Sequence, residues 1–194
     1  LETTSIRWES GRWTHPPVAA VERGSDLLVT AGEGSDAWRT TSYGFVHDSE
    51  HALLAPFDQD TAVEVEFTAA FSQQFDQAGI FVRVGETHWV KAGVEFADGR
   101  PQVGAVVTDG RSDWSLAPVP DWHDRRVLMR VSRSGDALTI RAGVDGGDLQ
   151  LVRLVPFAPD LVAWAGPFTC APTRAGLTVA FHGWRTTSAD VALH

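Results

Sequence analysis

Five side chains able to bond or stack on a ligand, Gln77, Arg83, Trp89, Lys91 and Glu95, occupy odd-numbered positions of the run QAGIFVRVGETHWVKAGVEF. On two strands joined by a tight turn, that spacing puts all five on one face, because strand side chains alternate with a period of two. An amide, a guanidinium, an indole, an ammonium and a carboxylate sharing a face suit a polar ligand with a flat apolar side, such as a pyranose. In this arrangement Trp89 stacks on the ligand, Arg83 and Lys91 donate to its oxygens, and Gln77 and Glu95 serve its far side. Asp76 and Trp114 stand behind them as further candidates.

The same residues also suit a purely structural network. Lys91 and Glu95 lie four apart on one strand, roughly 13 Å at about 3.3 Å per residue, so they meet only through partners on neighbouring strands. Asp76, Gln77, Gln102 and Arg83 are the available partners, and Trp89 beside Arg83 permits a cation–π contact. Lys91 is the only lysine in the sequence, against fifteen arginines, and its place within a strand is therefore more notable than that of a surface lysine.

These residues need a hairpin of defined register. A three-residue turn at Gly85-Glu86-Thr87 pairs Val84 with His88, Arg83 with Trp89, Phe81 with Lys91, Gly79 with Gly93 and Gln77 with Glu95. The opposite face then carries Ala78, Ile80, Val82, Val90, Ala92, Val94 and Phe96, an apolar surface for a core. A second turn at 97–100 sets Gln102, Gly104, Val106 and Thr108 beside Glu95, Gly93, Lys91 and Trp89. Three glycines thus align across the sheet, which predicts a shallow groove, glycine being found in a strand interior where a ligand, a neighbouring backbone or a bulky ring approaches closely. In TDGRSDWS a two-residue turn points Trp114 into the core and a three-residue turn adds it to the groove; the groove placement is preferred.

Further strand signals recur in DLLVTA, TAVEVEFTAAF, RVLMRVS, ALTIRAG, LQLVRLV, LVAWAG and GLTVAFHGW, separated by turn formers, and no long segment has helical periodicity. The expectation is one all-β domain over residues 1–194, a two-sheet antiparallel jelly-roll sandwich. Hydrophobic residues at 43% and charged residues at 21% fit an ordinary globular chain. A net charge of −9, without a basic cluster, argues against nucleic acid and anionic membranes as partners. With no apolar run of about 18 residues and no signal-peptide pattern, a cytoplasmic location is expected. Of the eight tryptophans, Trp164 and Trp184 are read as core, whereas Trp8, Trp13 and Trp122 cover edges or mediate self-association as a homo-oligomer.

Motifs for other chemistry are thin. His47 and His51 in HDSEH have Asp48 where a zinc protease needs Glu, and the stretch reads as a loop. AGEGSDAW lacks the third glycine of a dinucleotide fingerprint. GVDGGDL reads as a turn, with Asp145 and Asp148 able to hold calcium only if other oxygens converge. Cys170 is alone, in a Pro-flanked stretch without an evident His partner. No metal or cofactor is called for.

The run FDQAGIFVRVGETHWVKAGVEFADGRPQVGAVVTDGRSDWS, with SDAWRTTSYGF before it and GPFTCAP after it, resembles the DUF1349 family from Trp13 to about Trp184. The resemblance implies a concanavalin A-like lectin/glucanase sandwich. It carries the family pattern onto Asp76, Gln77, Gly79, Arg83, Trp89, Lys91, Gly93, Glu95, Ser112, Asp113 and Trp114, and onto Trp38, Arg39, Tyr43 and Gly44. In folds of this type the concave sheet face binds carbohydrate, so a non-catalytic ligand-binding domain for a saccharide or similar small polar molecule is expected. The glucanase E-x-D-x-x-E and E-x-D-x-E patterns are missing. The alternatives are a carbohydrate-active enzyme using Glu95 and Asp76, and a protein-interaction or regulatory module.

Overall fold

The computed structural model describes residues 2–194. Two antiparallel sheets stack into a sandwich. One has seven strands in the order Arg111–Pro118, Arg100–Asp109, His88–Ala97, Gln77–Gly85, Trp164–Cys170, His51–Pro56 and Arg12–Trp13. The other runs Gln150–Pro156, Ala137–Val144, Arg126–Ser134, Thr61–Thr68, Thr178–Ser188, Asp26–Thr30 and Ala19–Arg23, with Thr4–Ser5 also on the 178–188 strand. This is the expected jelly-roll class. No helix among the described residues is long and apolar enough to cross a membrane.

Alternation builds the core between the sheets. Ala78, Ile80, Val82, Val90, Ala92 and Val94 face inward from the central hairpin and meet Val63, Val65, Phe67, Val127, Met129, Val131, Phe181 and Trp184. Burying each large aliphatic side chain is worth about 1.5–3 kcal/mol. The register agrees with the sequence reading over Arg83–Trp89, Phe81–Lys91, Gly79–Gly93 and Gln77–Glu95, and over every pair named for the next strand. At the hairpin tip, however, Gly85 pairs with His88, and a bulge between His88 and Trp89 absorbs the extra residue. Thr108 pairs with Ser112 around Gly110, so the three-residue turn is the one formed.

The seven-stranded sheet is covered on its second face as well. The hairpin Ala37–Arg39 and Val46–Asp48 lies over it, closing a second core of Ala37, Trp38, Ala52, Leu54, Phe81, Trp89, Val106, Phe168 and Cys170. The stretch HDSEH is therefore not a loop throughout: His47 and His51 sit on successive strands, with only Ser49 and Glu50 between them. Cys170 ends a strand and is buried as a free thiol. Trp184 is buried as expected and stacks with Trp8 at 6.3 Å. Trp164 is not core: alternation puts it on the Arg83 side, where it is 39% exposed.

Gly79, Gly93 and Gly104 stand side by side as the register requires. A Cβ on Gly93 would overlap the Ala78 carbonyl, one on Gly79 the Ala92 carbonyl, and one on Gly104 the Ser115 carbonyl. A neighbouring backbone, rather than a ligand, is what requires them, and the recess above Gly93 and Gly104 holds only about 20 Å³. Gly93→Ala should therefore force strands 77–85 and 88–97 apart and cost about 1–3 kcal/mol, read as a lowered denaturant midpoint with unchanged slope.

Candidate ligand cavity

The covering hairpin and the strands beneath it enclose a cavity of about 270 Å³, lined by Asp36, Trp38, Tyr43, Phe45, Phe75, Gln77, Lys91, Glu95, Val106 and Trp114. Two parts can be distinguished. Lys91, Gln77 and Glu95 form a buried polar floor on the sheet. Tyr43, Phe45 and Trp114 stand at the mouth, 53%, 42% and 36% exposed.

The hairpin is anchored at both ends of this cavity. Lys91 Nζ donates to Asp36 Oδ1 at 2.7 Å and to Gln77 Oε1 at 2.8 Å. Arg39 donates from its backbone N–H to Ser112 Oγ at 2.9 Å and from Nε to the Gly110 carbonyl at 3.1 Å. Trp38 Nε1 donates to the Thr41 carbonyl at 3.0 Å, which pins the turn that presents Tyr43. The rings pack edge to face, Trp38 with Tyr43 at 5.6 Å and with Trp114 at 5.8 Å, while Tyr43 and Phe45 stack at 5.2 Å.

The floor is electrostatically unequal. Burial alone would lower the Lys91 ammonium, but Asp36, with Cys170 and Glu95 behind it, outweighs that and holds it above its ordinary value. Glu95 is pushed from 4.5 to about 7, first by burial and then by Asp36, with only Lys91 acting against the rise. Burial also raises Cys170 well above its usual range, so its thiol is an unreactive member of the second core.

Of the sequence candidates, Gln77, Lys91, Glu95 and Trp114 come together here and three do not. Trp89 is 3% exposed, stacked on Phe81 at 5.4 Å within the second core, so it offers no face to a ligand. Arg83 turns to Glu50 at 3.3 Å and Asp48 at 3.8 Å, beside His15. Asp76, fully buried, is clamped by Arg174 Nε and Nη2 at 3.0 and 2.7 Å and by the Ser72 and Gln73 N–H groups. Alternation explains Asp76: Gln77 faces the groove, so its neighbour cannot, and no acid–base pair with Glu95 forms. Gln102 is likewise outside the floor network, donating to the Ala97 carbonyl at 2.8 Å. Asp145 is taken by Arg125 at 2.6 Å.

Sequence reasoning passed over Asp36, Phe45 and Phe75. Asp36 and Phe45 flank the WRTTSYG element, and their signal was adjacency to it. Phe75, with φ +69°, sits on the loop before Asp76 and has no sequence signature of its own. His15, Asp48 and Glu50 also approach one another closely enough to share a cation, but Arg83 already supplies positive charge there.

Fold and cavity together define an all-β jelly-roll sandwich with a pocket on the second face of its seven-stranded sheet. The DUF1349 sequence model, described as "Protein of unknown function (DUF1349)", matches residues 13–189, and the chain belongs to that family. It is 34% identical over 188 residues to "Regulation of enolase protein 1" of Saccharomyces cerevisiae, spanning 97% of this chain and 94% of that protein. A crystal structure of a functionally unknown protein from Saccharomyces cerevisiae superposes with TM-score 0.88 at 34% identity, over 95% of this chain and 100% of the other. The Bauhinia forficata lectin solved with GalNAc superposes with TM-score 0.57 at 15% identity, over 97% and 100% of the two chains, a likeness of fold.

Two stability measurements check this geometry. Glu95 is held with a raised value, so the protonated form suits the fold: the penalty is absent below about 4.5, grows as pH rises, and is complete above about 7. Glu95→Gln should thus stabilise by about 3 kcal/mol above neutrality, with the gain fading towards acid pH, followed as Tm against pH. Trp89→Ala should cost about 3–5 kcal/mol in denaturant unfolding, whereas Trp114→Ala, at the open mouth, should cost about 1 kcal/mol or less.

Proposed function

We propose that this protein binds a small polar ligand of the saccharide class in the cavity under the 37–48 hairpin, without turning it over. One observation carries the reading: exposed aromatic faces at Tyr43, Phe45 and Trp114 stand over a buried floor of Lys91, Gln77, Asp36 and Glu95. Flat apolar rings suit the C–H face of a pyranose, and the floor offers donors and acceptors for its hydroxyls. Trp114 takes the stacking role that the sequence pattern gave to Trp89. Lys91 and Gln77 donate to ligand oxygens, and Glu95 accepts. A cavity of about 270 Å³ suits one sugar ring rather than a chain.

Binding is favoured over catalysis because glycoside hydrolysis needs two carboxyl groups free to act on one bond. Asp36 is committed to Lys91 and Asp76 to Arg174, which leaves Glu95 without a second free carboxylate at the cavity. The GalNAc complex of the lectin adds support at the level of fold alone.

Titration with a panel of mono- and disaccharides, followed by tryptophan fluorescence, tests the proposal, since Trp38 and Trp114 both line the cavity. A saturable change is expected for at least one monosaccharide, weakened about tenfold in Trp114→Ala. A flat response across the panel, with the folded state confirmed by its melting curve, would overturn it.

A further inference from the structure

Glu95 is the charged group at the cavity with no direct partner, although the Lys91 charge acts on it. It is 9% exposed and lines the cavity wall, and among the described residues no hydrogen bond or ion pair reaches its carboxylate. The contrast with Asp36 is direct: Asp36 accepts from Lys91 Nζ at 2.7 Å and from the Ala37 N–H at 2.8 Å. Lys91 in turn is committed to Asp36 and Gln77. Two carboxylates therefore face one ammonium, and the unmet charge is negative.

The walls favour the same complement. The rings of Trp38, Tyr43, Phe45, Phe75 and Trp114 surround the space above the floor. Phe75 meets Trp114 at 6.3 Å and 66°, and Trp38 meets Trp114 at 5.8 Å and 79°, so adjacent rings present different faces and edges to the interior. Aromatic faces attract cations by their quadrupoles, most strongly where water is displaced. A neutral ligand could hydrogen-bond the carboxylate but would leave its charge unbalanced, and an anionic one would be repelled; a cation satisfies walls and floor together.

We infer that the ligand of this cavity carries a positively charged nitrogen, an organic ammonium group seated against Glu95 and enclosed by the aromatic rings. The inference rests on the binding role proposed above and narrows its ligand to amino sugars. The upward displacement of Glu95 agrees with it, as burial that Lys91 only partly offsets produces that displacement and a bound cation would oppose it.

Three probes separate the possibilities: glucosamine, glucose and cyclohexylamine, each titrated calorimetrically at a pH of about 7, where Glu95 is partly ionised. Glucosamine should bind at least about tenfold tighter than glucose, as a charge-assisted hydrogen bond supplies. Glu95→Gln should bring that ratio close to one. Equal affinities of the wild-type protein for the two sugars would overturn the ammonium inference and leave saccharide binding standing. A preference for glucosamine that survives Glu95→Gln would overturn the assignment to Glu95. Binding of cyclohexylamine alone, lost in Glu95→Gln, would support the ammonium group and overturn the saccharide. Absence of heat with all three would overturn both.

Discussion

The buried pair between Lys91 and Asp36 is the interaction on which the rest of the site depends. A lysine in the middle of a sheet is tolerated only when its charge is matched, and here the match comes from a different layer of the molecule, 55 positions away in sequence. Losing either partner would strand a buried charge at a cost of about 3–5 kcal/mol, so the pair fixes the 37–48 hairpin against the sheet more firmly than the hairpin's short two-strand pairing could. The position of the hairpin then decides the rest. Trp38 comes down on the sheet, the second core closes around Trp89, and the uncovered part of the face becomes a cavity instead of an open groove.

The charged face of the central hairpin is therefore two regions. Towards Trp89 and Phe81 it is a second hydrophobic core, buried and covered; towards Lys91, Gln77 and Glu95 it is the floor of the cavity. Arg83, at the far end, looks away from both towards Glu50 and Asp48. The glycine row fits this division. It lets adjacent strands approach until a carbonyl takes the place of a Cβ, and the shallow recess left there is lined by Phe168 and Leu116 with Gln77, Lys91 and Glu95.

The parts of this architecture that alternate were legible in the sequence. Period-two patterning located the central strands, assigned their two faces and placed Lys91 opposite Phe81 and Val106, because one buried face makes a register slip costly. The hairpin 37–48 and the strand His51–Pro56 were not legible: the first is short and rich in turn formers, and the second is apolar on both faces and carries no alternation. Since that hairpin was missed, so was everything it covers. Trp89 was placed correctly on its face, but a strand pattern tells which way a side chain points and not what lies above it. Asp76 failed for the converse reason, as only the fold brings Arg174 to it from 98 residues away.

The two carboxylates at the cavity constrain what such a pocket is for. A floor built only for stability would meet both of them or replace one, because an amide at position 95 would fill the same space without a buried charge. Lys91 shows that the fold can meet a buried charge where it needs to, by bringing a group from another layer. Glu95 is given no such group, although Gln77 and Gln102 lie opposite it on the two flanking strands. Both amides are turned to other acceptors or donors, Gln102 to the Ala97 carbonyl and Gln77 to Lys91 and the Phe75 carbonyl. A largely buried carboxylate without a direct partner, only partly offset by Lys91, gives a ligand of the right charge more to gain at this aromatic-walled space than a neutral one, and that difference is a source of selectivity for it.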